Sequence, residues 1–400
     1  MMEVSKILRF WKIGILLVFI LSYFLTVEIA TAPPIGAPLA EWEPLSVSDE
    51  YYDHLGFAEI TFLNETHGWL LGHRALLQTR DGGDKWNVSL APEDSSLVGL
   101  SVLTPLDIWA SAIMDAPGGY GQLFHSLDGG VTWQTANTPP TITPVVEFYN
   151  STHGLVVDPV SHTLFRTIDG GSTWQTGVNW SSGYNPLHDI HLSVSAYRIA
   201  TSYGLYLSED WGLTWRVENT RSIEGLSFIT DSEGWILFPR TVAHFVDGTL
   251  TEFPRVSRIR ISSSSYYSGI EFIDSEHGWI VGVAPAVSYT PDGGLSWYEQ
   301  ETPDYHFRTV DFINETHGWA AGWEGAVART TNGNSLGRRL LTGFPLTEPL
   351  TGSGYLVSHL SLLIGSSTTV VYLILFYKYR SGKEPKYSLP PRVQTKEISA

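Results

Sequence analysis

The stretch FLNETHGWLLGHRALLQTRDGGDKW at residues 62–86 decides the fold, because the chain repeats it. Residues 312–334 read FINETHGWAAGWEGAVARTTNGN, and weaker copies lie between these two. Each copy ends in a turn of the form Ser/Thr-x-Asp-x-Gly-x-x-Trp, which is intact five times. Its aspartates are Asp81, Asp128, Asp169, Asp210 and Asp292. They are separated by 47, 41, 41 and 82 residues, so the period is near 40 and the last gap spans two periods.

Two degraded copies complete the series. Asp247 and Gly248 stand close to where the missing repeat should be, and Asn332 follows Asp292 by 40 residues. Short alternating apolar runs between Gly-rich turns are typical of strands, and about four strands per 40-residue repeat is the pattern of a propeller blade. The sequence therefore predicts an all-β fold, a seven-bladed β-propeller with its turns in register, over residues 33–346.

The repeated turn is predicted to be scaffold. Its Asp accepts backbone N–H bonds, its Gly supplies positive φ, and its Ser or Thr hydroxyl adds a local bond. Because the copies are spread around a ring, these aspartates cannot all belong to one active site. We therefore interpret the five as structural residues.

The sequence also indicates how the ring closes. The seventh repeat has NSLGRRLL at residues 334–341 where a Trp-bearing fourth strand belongs. The segment that begins at residue 40 with AEWEPL matches the sixth repeat, with Trp42 aligned on Trp297. The N-terminal segment is thus predicted to supply the missing strand, which would leave no open sheet edge.

Apolar runs flank the propeller. Residues 1–32 combine three basic residues, an apolar run and a small-residue ATA sequence, a pattern typical of a signal peptide or signal anchor, and the pattern leaves its cleavage open. After a linker at 347–353, residues 354–377 contain no formal charge and precede a basic tail at 378–400. This predicts a transmembrane helix with the tail in the cytoplasm and the propeller outside the cell membrane. A buried amphipathic helix is the alternative interpretation of 354–377.

Composition excludes several classes of function. The chain has no Cys, so it has no disulfide, thiolate metal site or Cys nucleophile. Residues 33–353 carry 15 Arg plus Lys against 37 Asp plus Glu, and so acidic a surface disfavours nucleic-acid binding. The sequence leaves the oligomeric state open.

The turns resemble the Asp-box, or bacterial neuraminidase repeat. The combined GW…G…T-x-DGG-x-x-W unit is most similar to the photosystem II assembly-factor and stability-factor-like propellers, over about residues 41–335. The resemblance implies a binding or assembly module for a protein or carbohydrate partner, without catalysis or cofactor.

The alternative is a sialidase-like glycoside hydrolase. Sialidases use an Arg triad, a Tyr–Glu pair and an acid Asp, usually announced by an Arg-Ile-Pro phrase, which is absent here. Arginines that could face a central pocket are Arg74, Arg198, Arg240 and Arg308.

Four histidines occupy one repeated turn position: His67, His153, His277 and His317. They suggest metal ligation, but they lie on different blades and lack ligand spacing within one element. Packing in the turn is the favoured interpretation, and the sequence predicts no metal site.

The two faces of the predicted propeller differ. Five Asn-x-Ser/Thr sequons mark possible N-glycosylation, with local turn capping as the alternative; they are Asn64, Asn87, Asn150, Asn179 and Asn314. The opposite face collects long loops with aromatic residues, where binding residues concentrate. The predicted ligand-binding residues there are Tyr120, Trp180, Tyr184, Tyr266, Tyr267, Arg258 and Trp323. Simple packing of the rings, and charge neutralisation by the Arg, are the alternatives.

Overall fold

The computed structural model describes residues 41–53, 55–115, 119–177, 187–239, 241–253, 267–282, 287–336 and 338–340. The predicted leader at 1–32, linker at 347–353, apolar segment at 354–377 and basic tail at 378–400 lie outside these residues. Within the described ranges, no helix has the length and apolar character needed to span a membrane.

The described chain is built almost entirely of antiparallel strands. They are β1 (Glu43–Pro44), β2 (Phe57–Phe62), β3 (Gly68–Gly72), β4 (Leu76–Thr79), β5 (Asn87–Leu90), β6 (Ser95–Val102), β7 (Ile108–Met114), β8 (Tyr120–Ser126), β9 (Gln134–Ala136), β10 (Val145–Phe148), β11 (Gly154–Asp158), β12 (Thr163–Thr167), β13 (Gln175–Thr176), β14 (Leu187–Leu192), β15 (Tyr197–Thr201), β16 (Gly204–Ser208), β17 (Arg216–Asn219), β18 (Gly225–Phe228), β19 (Glu233–Phe238), β20 (Thr241–Val246), β21 (Thr249–Glu252), β22 (Tyr267–Phe272), β23 (Gly278–Gly282), β24 (Val287–Thr290), β25 (Trp297–Glu299), β26 (Phe307–Phe312), β27 (Gly318–Gly322), β28 (Val327–Thr330) and β29 (Arg338–Leu340). Two short 3-10 helices occupy Asp49–Tyr51 and Trp323–Gly325.

The strands form seven sheets, which are the predicted seven blades. Blades 1 to 5 are β2–β5, β6–β9, β10–β13, β14–β17 and β18–β21; blade 6 is β22–β25 with β29, and blade 7 is β26–β28 with β1. The first strand of each blade contacts the first strand of the next, and β26 contacts β2. Seven inner strands therefore surround a central channel.

Two faces follow from this topology. The face that carries the turn after each first strand and the Asp-box turns is called the box face. The face that carries the loop between the second and third strands, and the connections between blades, is called the loop face. Each inner strand runs from the loop face to the box face.

The N-terminal segment closes the ring as predicted. Glu43 pairs with Arg329 and Pro44 with Ala328, which makes β1 the fourth strand of blade 7. The Leu45 N–H continues the pairing by donating to the Val327 carbonyl at 2.8 Å. The NSLGRRLL segment, for which the sequence predicted no position, supplies β29, and its Leu340 pairs with Trp297 at the outer edge of blade 6.

The hydrophobic core is divided into seven clusters, each between two adjacent blades. The Trp after the first turn of one blade stacks on the Phe that ends the inner strand of the next blade. These stacked pairs are Trp109–Phe148, Trp235–Phe272, Trp279–Phe312 and Trp319–Phe62, with ring centroids 3.6 to 4.4 Å apart. Stacked aromatic pairs and their burial stabilise each blade junction.

The same tryptophans connect to the Asp-box turns. Trp235 Nε1 donates to the Gly293 carbonyl of blade 6, and Trp319 Nε1 donates to the Gly82 carbonyl of blade 1, both at 2.9 Å. The Gly-Trp and Asp-Gly-Gly phrases recur together because each Trp reaches the Asp-box turn of the neighbouring blade.

Each intact Asp-box turn is held by its own side chains. In blade 2, Asp128 Oδ1 accepts from the Ser126 hydroxyl at 2.9 Å and from the Thr132 N–H at 2.8 Å. Gly129 and Gly130 have φ of 75° and 81°, a backbone conformation that is strained for residues with a side chain. In blade 5 the degraded copy is a two-residue hairpin, Asp247–Gly248, with φ of 48° and 80° at its two residues.

Candidate functional site: the central channel and the loop face

Five carboxylates from five different inner strands line the channel: Glu59, Glu147, Asp189, Glu271 and Asp311. Their mutual repulsion shows that they lie within electrostatic range of one another. Asp189 and Asp311 act on Glu59, and Glu59 and Asp189 act on Glu147. The propeller therefore holds a ring of acids at its axis.

Burial among the inner strands raises the pKa of these groups. Burial, and then the charges of Asp189 and Asp311, raise the pKa of Glu59 to about 8. Burial raises the pKa of Asp311 to about 7 and that of Asp189 to about 6. Burial also raises the pKa of Glu147 and of Glu271. Part of the ring is consequently protonated at neutral pH.

The channel residues also bind the blades to one another. Asp311 of blade 7 accepts the Phe62 N–H of blade 1 at 2.5 Å, and Asp189 of blade 4 accepts the Leu226 N–H of blade 5 at 2.8 Å. Ser227 repeats this contact between blades 5 and 6. A polar residue one or three positions before the end of the inner strand thus accepts a backbone bond from the next blade.

At the loop-face end of the channel, Arg308 places a positive charge, in contrast to the ring of acids. Arg308, at the start of β26, lowers the pKa of His188 across the channel, after the larger effect of burial. His188 Nε2 lies 2.8 Å from the Ser202 hydroxyl, and His188 Nδ1 lies 3.5 Å from a Glu224 carboxylate oxygen. Arg308 makes no ion pair with any residue in the described ranges. A guanidinium without such a partner at the channel mouth can bind an anionic group.

The aromatic residues at the loop face separate into an exposed and a packed group, and of the predicted ligand-binding residues Tyr120 and Trp323 belong to the exposed group. Tyr120, Tyr203 and Trp323 are 49%, 62% and 40% exposed on the loop face. Tyr52 instead packs on Phe57, with ring centroids 5.1 Å apart. Trp180, Tyr184, Tyr266 and Arg258 lie outside the described residues, as does the side chain of Tyr267.

Among the described residues, the arginines that a sialidase hypothesis would use stand at different places in the fold. Arg198 is buried between blades 4 and 5, with its guanidinium 4.1 Å from the Phe228 ring centroid and bonded to the Asp231 carbonyl. Arg308 lies in the channel, Arg74 is exposed in the loop between β3 and β4, and Arg240 is outside the described residues. Arg198 is therefore held by blade 5 near the box face, whereas Arg308 stands at the start of its inner strand, towards the loop face.

The asparagines of the sequons in the turns after the first strands cap those turns through their side-chain oxygens. Asn64 Oδ1 accepts the N–H groups of Thr66 and His67, both at 3.0 Å, and Asn150 and Asn314 make the same bonds. Capping uses Oδ1 and leaves the amide nitrogen, where a glycan attaches. Asn87 is exposed at the start of β5, and Asn179 is outside the described residues. Glycosylation stays a prediction.

Two features were missed by the sequence reasoning. The channel acids had a signal, since charged residues interrupt the apolar inner strands immediately before or three places before the final residue. The box face also exposes aliphatic side chains at its turns, namely Leu106, Leu127, Val131, Ile168, Val194, Leu213 and Leu295. They stand at variable positions of the turn phrase, which the repeat itself does not constrain.

The fold, the box turns and the channel define a seven-bladed Asp-box β-propeller. The chain belongs to the Photosynthesis system II assembly factor YCF48 family, whose model matches residues 37–134 and 251–370. No curated protein matches the sequence.

Solved structures show the same fold. A YCF48 protein bound to a D1 peptide is 21% identical, with a TM-score of 0.57 over 73% of this chain and 97% of that chain. YCF48 from Cyanidioschyzon merolae is 18% identical, with a TM-score of 0.55 over 72% and 98%. The GH74 xyloglucanase from Xanthomonas campestris is 13% identical, with a TM-score of 0.58 over 74% of this chain and 54% of that chain.

Proposed function

We propose that this protein is a binding module that holds a segment of a protein partner on its loop face during assembly, without catalysis. The observation that carries the proposal is that Arg308, at the loop-face end of the channel, has no ion-pair partner among the described residues, and that exposed aromatic rings stand on loops of the same face. Family membership supports the proposal, and one similar structure is a YCF48 protein bound to a D1 peptide.

The residues of the mouth fit an extended peptide. Exposed aromatic rings such as Tyr203 and Trp323 supply large contact area and dominate many protein interfaces. A guanidinium such as Arg308 pairs with a carboxylate through two parallel hydrogen bonds. The chemistry favoured is a peptide segment with an anionic group, such as a chain terminus or an acidic side chain.

We place the propeller outside the cell membrane, with the C-terminal tail in the cytoplasm. The uncharged stretch at 354–377 and its basic flank support this topology. Since the chain has no Cys, single cysteines are unique labels. In intact cells, a membrane-impermeant maleimide should label Leu127→Cys on the propeller and leave Ser388→Cys in the tail unlabelled until lysis. Labelling of Ser388→Cys in intact cells would reverse the topology.

Site-specific photocross-linking tests the docking face. A photoreactive phenylalanine analogue is placed at Tyr203 or Trp323 on the loop face, and at Leu127 or Leu295 on the box face, in the full chain within native membranes. Both loop-face positions should cross-link the same protein, identified by mass spectrometry. The two box-face positions are matched controls because they are also exposed.

A second variant tests the role of charge. Arg308→Gln removes the guanidinium at the mouth and should weaken cross-linking from Tyr203, whereas Arg216→Gln, on an exposed arginine of β17, should leave it unchanged. Cross-links found only at the box-face positions would refute the docking face. Equal cross-linking by the wild type and Arg308→Gln would refute the role of the arginine.

A glycoside hydrolase is the second candidate function. The channel acids support it. The general acid of a glycoside hydrolase is a carboxyl group with a raised pKa, and Glu271 and Asp311 have raised pKa values. Release of fluorophore from a glycoside panel by the wild type, and its loss in Asp311→Asn, would favour this function over binding.

A further inference from the structure

Four blades carry the same turn after the inner strand, in which an Asx residue precedes a His by three positions. The turns begin at Asn64, Asn150, Asp274 and Asn314. In each, the Asx Oδ1 accepts the backbone N–H groups two and three residues on. The chain therefore repeats the same capped turn four times. Comparison of the copies shows how a change of side chain alters the surroundings of the His.

The copy in blade 6 differs from the others at two positions. In blades 3 and 7, the Thr before the His places its hydroxyl 2.8 to 2.9 Å from the His Nδ1. In blade 6, Glu276 replaces that Thr, and Asp274 replaces the Asn. His277 Nδ1 consequently faces both carboxylate oxygens of Asp274, at 3.0 and 2.9 Å.

The neighbouring blade supplies a third group. Glu315, in the turn of blade 7, brings a carboxylate oxygen to within 4.8 Å of a carboxylate oxygen of Asp274 and a ring nitrogen of His277. Asp274 and His277 are half-buried and fixed by the turn, whereas Glu315 is exposed and can rotate. An imidazole and two carboxylates are ligands that Zn²⁺ accepts, with water at the fourth position.

The spacing fits such an ion. With Zn–N and Zn–O distances of about 2.0 to 2.2 Å, ligand atoms of a tetrahedral site lie about 3.3 Å apart. His277 Nδ1 and the Asp274 oxygens, 3.0 and 2.9 Å apart, are already near this separation. Rotation of the exposed Glu315 side chain away from Asn334 Nδ2, which donates to it at 3.3 Å, would bring its carboxylate to the same distance.

The surrounding charge favours a cation. The turn that holds His277 contacts the Asp-box turn of its own blade, where the Gly293 N–H donates to the Glu276 carbonyl at 2.7 Å. Glu276 and Asp292 thus add two further carboxylates on the same side of the blade. A divalent cation would relieve the repulsion between carboxylates that come from different blades.

We propose that Asp274, His277 and Glu315 bind a divalent transition-metal ion of the Zn²⁺ class, which bridges blades 6 and 7 on the box face. The sequence predicts no metal site because the histidines lack ligand spacing within one element, and Glu315 belongs to the next repeat. The ion would fasten the blade on which the ring closes, far from the loop-face mouth.

The junction between blades 7 and 1 provides an internal control. There His317 Nδ1 lies 4.0 Å from a Glu65 carboxylate oxygen, and the Asx residue is Asn314. Its amide oxygen is neutral and lies 3.3 Å from His317 Nδ1. The second junction thus has a similar arrangement in which Asn314 replaces the ligand carboxylate and the Thr316 hydroxyl contacts the His317 Nδ1.

Zinc titration of the full chain tests the proposal. The protein is purified in detergent with a tag that lacks histidine and is stripped with a chelator, and ZnCl₂ binding is followed by calorimetry and by the melting temperature. Wild type should bind one more equivalent than Asp274→Asn, and zinc should raise the melting temperature of wild type only. Asn stands at this turn position in three other blades, so Asp274→Asn preserves the cap.

Two further variants sharpen the result. Glu315→Gln, which keeps an oxygen for the Asn334 Nδ2 donor that lies 3.3 Å from Glu315 Oε2, should weaken zinc binding at least tenfold. Asn314→Asp should add a second equivalent by completing the junction between blades 7 and 1. Equal zinc binding by wild type, Asp274→Asn and Glu315→Gln, or no binding by wild type, would overturn the proposal. Melting without zinc shows that each variant is folded.

Discussion

Trp42 Nε1 donates a hydrogen bond to Gln300 Oε1 at 2.9 Å, although the two residues are 258 positions apart in the sequence. The Trp42 ring also packs against Phe307 and Phe312, with centroids 6.1 and 5.8 Å away. One side chain from the start of the propeller thus fills the junction between its last two blades. We therefore expect burial of this residue to stabilise the closed ring.

Replacing Trp42 with Ala should lower the free energy of unfolding by about 3 to 5 kcal/mol, as expected for a large aromatic removed from a core. Trp42 is only 5% exposed, and its loss also removes the donor to Gln300 Oε1. Chemical denaturation measures the change. Unfolding identical to wild type would show that the N-terminal segment does not close the ring.

Replacing Arg329 with Ala should have a much smaller effect, about 1 kcal/mol or less. Arg329 pairs with Glu43 at 3.0 Å and with Asp84 at 2.7 Å, and so connects β1, blade 7 and the box turn of blade 1. Both carboxylates are exposed, where water and salt screen the pairs. The same denaturation experiment applies, and a loss as large as that of Trp42→Ala would mean that charge, and not burial, closes the ring.

The Asp128→Asn variant should be less stable than wild type in a pH-dependent way. Hydrogen bonds from the Thr132 hydroxyl and N–H, and then from Ser126, lower the pKa of Asp128 to about 2. A lowered pKa means that the ionised carboxylate stabilises the folded state above the ordinary value of 3.8, and that this contribution is lost as pH falls towards 2. The difference in melting temperature should therefore be full at pH 5 and shrink towards pH 2.

Asn fits this turn, because Asn332 occupies the same place in blade 7 and accepts the Thr330 hydroxyl at 3.0 Å. The variant therefore changes the charge of the cap while keeping its shape. A difference that does not vary between pH 5 and 2 would contradict the account of Asp128.

The Glu59→Gln variant should have the opposite pH dependence. The pKa of Glu59 is raised to about 8 from 4.5, so the folded state favours the protonated acid. The favourable contribution is complete below about 4.5 and is lost as pH rises through 8. Gln cannot ionise and keeps an oxygen for the Leu100 N–H, so the variant should melt higher than wild type at pH 8 and equally at pH 4.

The matched control is Glu93→Gln, because Glu93 is exposed on a connection between blades. Its melting temperature should follow that of wild type across the pH range. If Glu59→Gln were less stable than wild type at pH 8, the ionised channel acid would stabilise the fold, and the predicted direction of the pH effect would be wrong.

The sequence could predict the blades because the information that specifies them is local and repeated. Asp, Gly and the hydroxyl residue hold the Asp-box turn within eight residues, as at residues 126–133, so each copy can be recognised by itself. The period then counts the blades even where a copy is degraded, as at Asp247. The match between Trp42 and Trp297 similarly identified the segment that closes the ring.

The candidate site depended on the tertiary structure, because its groups come from different repeats. Glu59, Asp189 and Asp311 are far apart in sequence, and only ring closure brings them to one axis, where burial and mutual repulsion raise their pKa. The pairing of β29 with β25 was likewise undecided by sequence, since an outer edge accepts whichever strand reaches it. Local turn chemistry and its period thus determined the scaffold, whereas distances across the ring decided which side chains meet.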